Sequence, residues 1–113
     1  MESILTSIKK LLGIADEYTQ FDDDLIMHIN AVFMTLCQMG VGPDIPYVIT
    51  DSGDEWNDFS EDIETMNAVK SYVHMKVRLI FDPPQNGNLL ESLKQLIAEY
   101  EWRLNVLKDK EDE

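Results

Sequence analysis

The sequence predicts an all-α protein: a small bundle of about four helices, with an irregular, proline- and glycine-containing middle loop and at most a short β segment. Three observations carry that prediction. Apolar residues recur in steps of three and four along most of the chain, the spacing that lines up one face of an α-helix. Glycine and proline gather between these stretches, at Gly13, within residues 40–46 and within residues 83–87, where they stop helices. Only Tyr47 to Thr50 is a β-prone run, and one short run cannot build a sheet. A length of 113 residues suits a single domain over 1–113 with one modest core.

The first helix spans about residues 2–12. Ile4, Leu5, Ile8, Leu11 and Leu12 give it an apolar stripe and Gly13 ends it. After a connector, a second helix opens at Asp22-Asp23-Asp24, three acids placed where a helix N-terminus is partially positive. That account of the triplet is preferred to a metal site: Asp24 and His28 stand four apart, but no third ligand is in view. Leu25, Ile29, Val32, Phe33 and Leu36 form its buried stripe. Met27, Met34 and Met39 lie off the stripe or at its edge, either as core fillers or as a contact surface. Cys37 falls in the same apolar pattern and is expected to be a packing residue.

Residues 40–59 form the irregular middle. Tyr47, Val48 and Ile49 either pair with a neighbouring subunit or lie across the helices. Residues 51–54 read as a turn; they lack the alternating ligands and terminal Glu of a calcium loop. Trp56 and Phe59 are expected to fold back onto the core. A third helix runs from about Ser60, its expected cap, to Phe81, with a stripe of Ile63, Met66, Val69, Val73, Val77 and Ile80 flanked by Tyr72 and His74. Asp82 precedes two prolines, so the chain turns there. The last helix starts near Asn88, with Glu91 three positions on, and carries Leu89, Leu93, Ile97, Tyr100, Leu104 and Leu107 on one stripe. The short connection predicts packing antiparallel to the third helix. Glu99 and Arg103 are spaced for a helix-surface ion pair. Trp102 lies off the stripe and must meet another element or another subunit. The tail over 108–113 is all charge and should fray.

The charge narrows the function classes. Twenty-two acids against nine cations leave a formal charge of −13. Tight binding to a nucleic-acid backbone or to an anionic membrane surface is disfavoured. A basic protein partner, or a place near DNA without gripping it, fits better. The single cysteine allows no intrachain disulfide, no stretch has the length of a transmembrane helix, and Lys9 and Lys10 interrupt any signal-peptide pattern. The expectation is a protein of the cytoplasm. Glycine-rich phosphate loops, paired Cys or His ligands and the Gly-x-Ser-x-Gly turn are all missing. No catalytic residue, cofactor or metal is therefore assigned, and the protein is not read as an enzyme.

One set of short motifs carries a resemblance through its order and spacing. Tyr72 to Phe81 (YVHMKVRLIF), Asp82-Pro83-Pro84, and Glu101 to Asn105 (EWRLN) in the last helix resemble the head–tail connector, or adaptor, proteins of long-tailed bacteriophages and prophages. Leu11 to Ile14, the acidic opening at Asp22–Asp24 and Asn30-Ala31 agree with the start of those proteins. The resemblance implies a structural protein of the virion neck. Such a protein forms a homo-oligomeric ring beneath the portal protein, extends the DNA channel and docks the next neck protein, the stopper. It implies assembly in the host cytoplasm and a free form that is a monomer or a mixture. On the same footing Trp102 and Arg103 become candidate contacts with the portal or a neighbouring subunit; Tyr47, Val48 and Ile49 are candidates from their own β-prone run. Two other classes stay open: an acidic DNA mimic that inhibits a DNA-binding protein, and a small all-helical enzyme.

Overall fold

The computed structural model describes residues 3–112, with side chains through Lys108. It is all-α, with α1 at Ile4–Leu11, α2 at Asp22–Gln38, α3 at Trp56–Phe59, α4 at Ile63–Phe81 and α5 at Gly87–Asp112. The four expected helices are present, and α3 adds a single turn inside the middle segment. Among the described residues there is no strand; one isolated antiparallel bridge joins Ser3 to Glu55. Over the tail expected to fray, 108–113, α5 continues through Asp112; the side chains beyond Lys108, all of Glu113 and the expected helical start at Glu2 lie outside the described set.

Each helix end follows from local chemistry. Ser3 caps α1 by accepting the Thr6 N–H. At the other end of α2, Gly40 takes a positive φ of 83°. Its N–H bonds the Cys37 carbonyl, and the Val41 N–H returns to Leu36. These two bonds satisfy carbonyls the helix leaves open, and the required left-handed turn is one that glycine enters without strain. Two expected caps are displaced by two residues. Asp62 rather than Ser60 opens α4, accepting the Thr65 N–H. Asn86 rather than Asn88 opens α5, its Oδ1 accepting from the N–H groups of Asn88 and Leu89.

The helices form a flattened body with extents of 43 × 36 × 20 Å. Helix α4 is central: it packs on α1, α2, α3 and α5. The core takes Ile4, Leu5 and Ile8 from α1, the full predicted stripe of α2, Val69, Val73 and Val77 from α4, and Leu93, Ile97 and Leu104 from α5. Trp56 and Phe59 are buried as expected, with Phe59 stacked on Phe33 at 5.1 Å. The ends of three expected stripes run past their neighbours: Leu11 of α1, Ile63 and Ile80 of α4, and Leu89 of α5 are exposed. Cys37 is only half-buried, its Sγ 3.5 Å from the Asp44 carbonyl, so it edges the core rather than filling it.

The β-prone run lies across α2. Ile49 is buried, and the Asn30 side chain both accepts its N–H at 2.8 Å and donates to its carbonyl at 3.0 Å. Asn30 thus supplies the two hydrogen bonds a neighbouring strand would give.

Ser7, Lys9 and Thr65 are polar residues buried inside this frame. Lys9 is 1% exposed, and its ammonium lies 2.9 Å from both the Asp16 carbonyl and Asp22 Oδ1. It ties the end of α1 to the connector and to the start of α2. The indole N–H of Trp56 donates to Ser7 Oγ at 2.8 Å, and that hydroxyl donates to the Ile4 carbonyl.

Candidate interaction site

Helices α4 and α5 run antiparallel across a five-residue turn, and a groove of about 380 Å³ opens along their outer side. It extends from Glu64 to Ser71 on α4 and from Tyr100 to Leu107 on α5, with Trp102 and Val106 on its rim. Antiparallel packing sets this pairing, because the start of α4 meets the far end of α5.

The EWRLN segment is divided by its position on α5. Leu104 points into the core and is fully buried. Glu101 reaches inward to accept a 2.7 Å hydrogen bond from the hydroxyl of buried Tyr72. Burial, and then the hydrogen bond and negative charge of Glu101, push the Tyr72 hydroxyl well above the usual tyrosine range. Trp102 and Arg103 face out. Trp102 is 67% exposed. Arg103 pairs with Glu99 at 2.6 Å and lies over the Tyr100 ring at 5.2 Å, beside the indole.

The other candidates separate. Val48 is exposed; Ile49 is held in the core by Asn30, and Tyr47 is half-buried, packed edge-on to Phe33 and Phe59. Burial and the nearby Asp54 and Asp58 carboxylates raise the Tyr47 pKa. Met27 and Met34 are exposed on α2, and Met39 is half-buried against the core.

The acids of the middle segment are engaged locally. Asp54 accepts from the Thr50 and Asp51 N–H groups, Asp51 from Gly53, and Asp58 from Glu55. Asp62 accepts from both the backbone and the hydroxyl of Thr65, bonds that hold its carboxyl below the usual range. Among the described residues no three or more His, Cys, Asp or Glu side chains form a group able to hold a metal ion. No helix among them is long and apolar enough to cross a membrane.

Sequence reasoning missed two residues that shape the site. Tyr72 was placed beside the α4 stripe but is its largest buried member, and the signal was its position three after Val69. The acid that meets it, Glu101, lies in the one motif that marked α5 as special.

No curated protein and no solved structure matches the chain. A family model described as phage connector protein matches residues 4–111. That range takes in every helix from α1 into the last turn of α5, and the chain belongs to the phage connector protein family, a family of structural proteins of the virion.

Proposed function

We propose that the protein is a head–tail connector subunit that forms a ring beneath the portal protein, continues the DNA channel and offers the stopper its platform. The whole chain acts as one domain, by shape and contact rather than by catalysis, and without a cofactor. It takes its place in the virion neck after assembly in the host cytoplasm. The observation that carries this reading is the match of the connector family over almost the full chain. Exposed Trp102, set beside Arg103 on the α4–α5 hairpin, supports it as a contact with the portal or a neighbouring subunit.

The charge fits a conduit. A lumen lined by acids repels DNA phosphates and lets the genome pass without sticking. The same thirteen net charges oppose ring closure in the free state, which favours a monomer or a mixture until a portal template supplies contacts. A DNA mimic would present its acids on one face at phosphate-like intervals, whereas Asp54, Asp58 and Asp62 are occupied in capping and closing turns of this chain.

The test is to mix the protein with purified portal rings and image the product by electron microscopy. The expected result is added ring density below the portal with an acidic lumen. Failure to bind, or a lumen rich in Lys and Arg, overturns the reading.

A further inference from the structure

We infer that copies of this chain join head to tail, the α4–α5 groove of one copy receiving the Met27–Met34 ridge of α2 from the next. The inference rests on the connector reading and deepens it by naming the two faces that meet. Charge selects them. On a chain of −13, residues 25–43 carry no Asp, Glu, Lys or Arg. The groove lining carries one acid, Glu64, and one cation, Arg103, whose charge Glu99 balances at 2.6 Å, so it adds a single net negative charge. Contact between these two faces avoids the repulsion that any pairing through the acidic middle segment would meet.

Shape and size agree. Opposite the buried stripe of α2, Met27, Ala31 and Met34 are exposed at helical spacing and form a ridge without charge. Met27 and Met34 are seven residues apart, about 10 Å along a helix. The groove walls, Glu64 to Ser71 and Tyr100 to Leu107, each have ends seven residues apart, the same separation as Met27 and Met34. The exposed indole of Trp102 on the rim suits a methionine thioether, since sulfur packs favourably against aromatic edges. Because groove and ridge are different surfaces of one chain, the contact is heterologous, and such contacts repeat into rings or open filaments.

The experiment is sedimentation velocity of the full chain in 1 M salt, where the screening length is about 3 Å. Three samples are compared: wild type, Met34→Glu and Trp102→Glu. Both positions are exposed, and circular dichroism confirms that each variant is folded. Wild type is expected to associate with rising concentration and each variant alone to stay monomeric. An equimolar mixture of the two variants should form dimers and nothing larger, because it retains one intact ridge and one intact groove. A wild type that stays monomeric up to its solubility limit, a variant that assembles as wild type does, or a mixture that fails to dimerise overturns the inference. Portal binding by wild type, measured in parallel, reports on the connector reading separately. Portal binding with intact assembly of both variants sinks only the pairing of faces. Head-to-tail dimers without portal binding sink only the connector role.

Discussion

Lys9 is the place where stability can be tested most sharply. Its ammonium is 1% exposed and has two oxygen partners at 2.9 Å, the Asp16 carbonyl and Asp22 Oδ1. Lys9→Ala deletes three buried methylenes, Cβ remaining as the Ala methyl; at about 0.8 kcal/mol per methylene they are worth roughly 2.4 kcal/mol. It also leaves Asp22 without its counter-charge. Removing one member of a fully buried pair costs about 3–5 kcal/mol, but the Asp22 side chain is 24% exposed, so water recovers part of that loss. The expected total is about 3–5 kcal/mol. Lys9→Met keeps most of the apolar volume and removes only the charge, so it should cost about 1–3 kcal/mol.

The assay is urea unfolding followed by circular dichroism, with Asp22→Asn and the double variant Lys9→Met/Asp22→Asn completing a cycle. The pair should show a coupling of at least about 1 kcal/mol, since contacting charges are non-additive. It should also resist salt better than the exposed Glu99–Arg103 pair, whose side chains are each about half exposed. A Lys9→Ala variant within about 1 kcal/mol of wild type, or strictly additive single variants, would refute the claim that this ammonium ties the end of α1 to the start of α2.

Three further outcomes are expected. Tyr72→Phe removes the hydroxyl that Glu101 accepts and should cost about 1.5–3 kcal/mol by thermal or urea unfolding, the range for a hydrogen bond to a charged group. Gly42→Ala should destabilise by more than the roughly 1–2 kcal/mol of left-handed backbone strain, because Gly42 sits at φ +89° and an added Cβ would lie 2.4 Å from Phe59 Cζ; a neutral result by differential scanning calorimetry would contradict the close approach. His74 lies half-buried between the end of α1 and α4, and burial, followed by the Arg78 charge, lowers its pKa against a small opposing effect of the Leu11 backbone. Its neutral form is therefore the folded form. The stability it contributes is present above the unfolded value near 6.5 and is lost as pH falls through the lower folded value. Wild type should weaken on acidification below about pH 6.5, and His74→Gln should flatten that slope in urea midpoints measured from pH 8 to 5.

The periodic signal found the helices because burial on one face is what a three-and-four spacing records, and α2 is the clear case: its five stripe residues are all buried. It erred where geometry outside the helix decides. Ile63, Ile80 and Leu89 have the right spacing but sit beyond the reach of a partner helix. Cap positions slipped by two because Ser60 and Asp62, like Asn86 and Asn88, are both competent caps, and the turn before the helix chooses between them. Lys9 enters the sequence reading only as a break in a signal-peptide pattern, and its burial is not anticipated there. Its place four after Leu5 puts it on the buried face, but only the connector's return to α1 supplies the Asp16 carbonyl and Asp22 that make burial tolerable. Asn30 was noted for its resemblance value, and no local pattern could show that it substitutes for a strand beside Ile49, nineteen residues away.

The same reasoning bears on which parts of the family-like segments are free to act. In EWRLN, Glu101 is committed to Tyr72 and Leu104 to the core, so two of the five positions serve the fold. In YVHMKVRLIF, Tyr72, Val73, Met75 and Val77 are buried. The two segments are joined directly by the Tyr72–Glu101 hydrogen bond, so their joint presence is explained by hairpin packing before any partner is invoked. Trp102 has no such account. A side chain of its size, left 67% exposed next to a guanidinium already fixed by Glu99, contributes little to the folded subunit. Its contribution must come from what covers it, and the groove beside it is where that contact is to be sought.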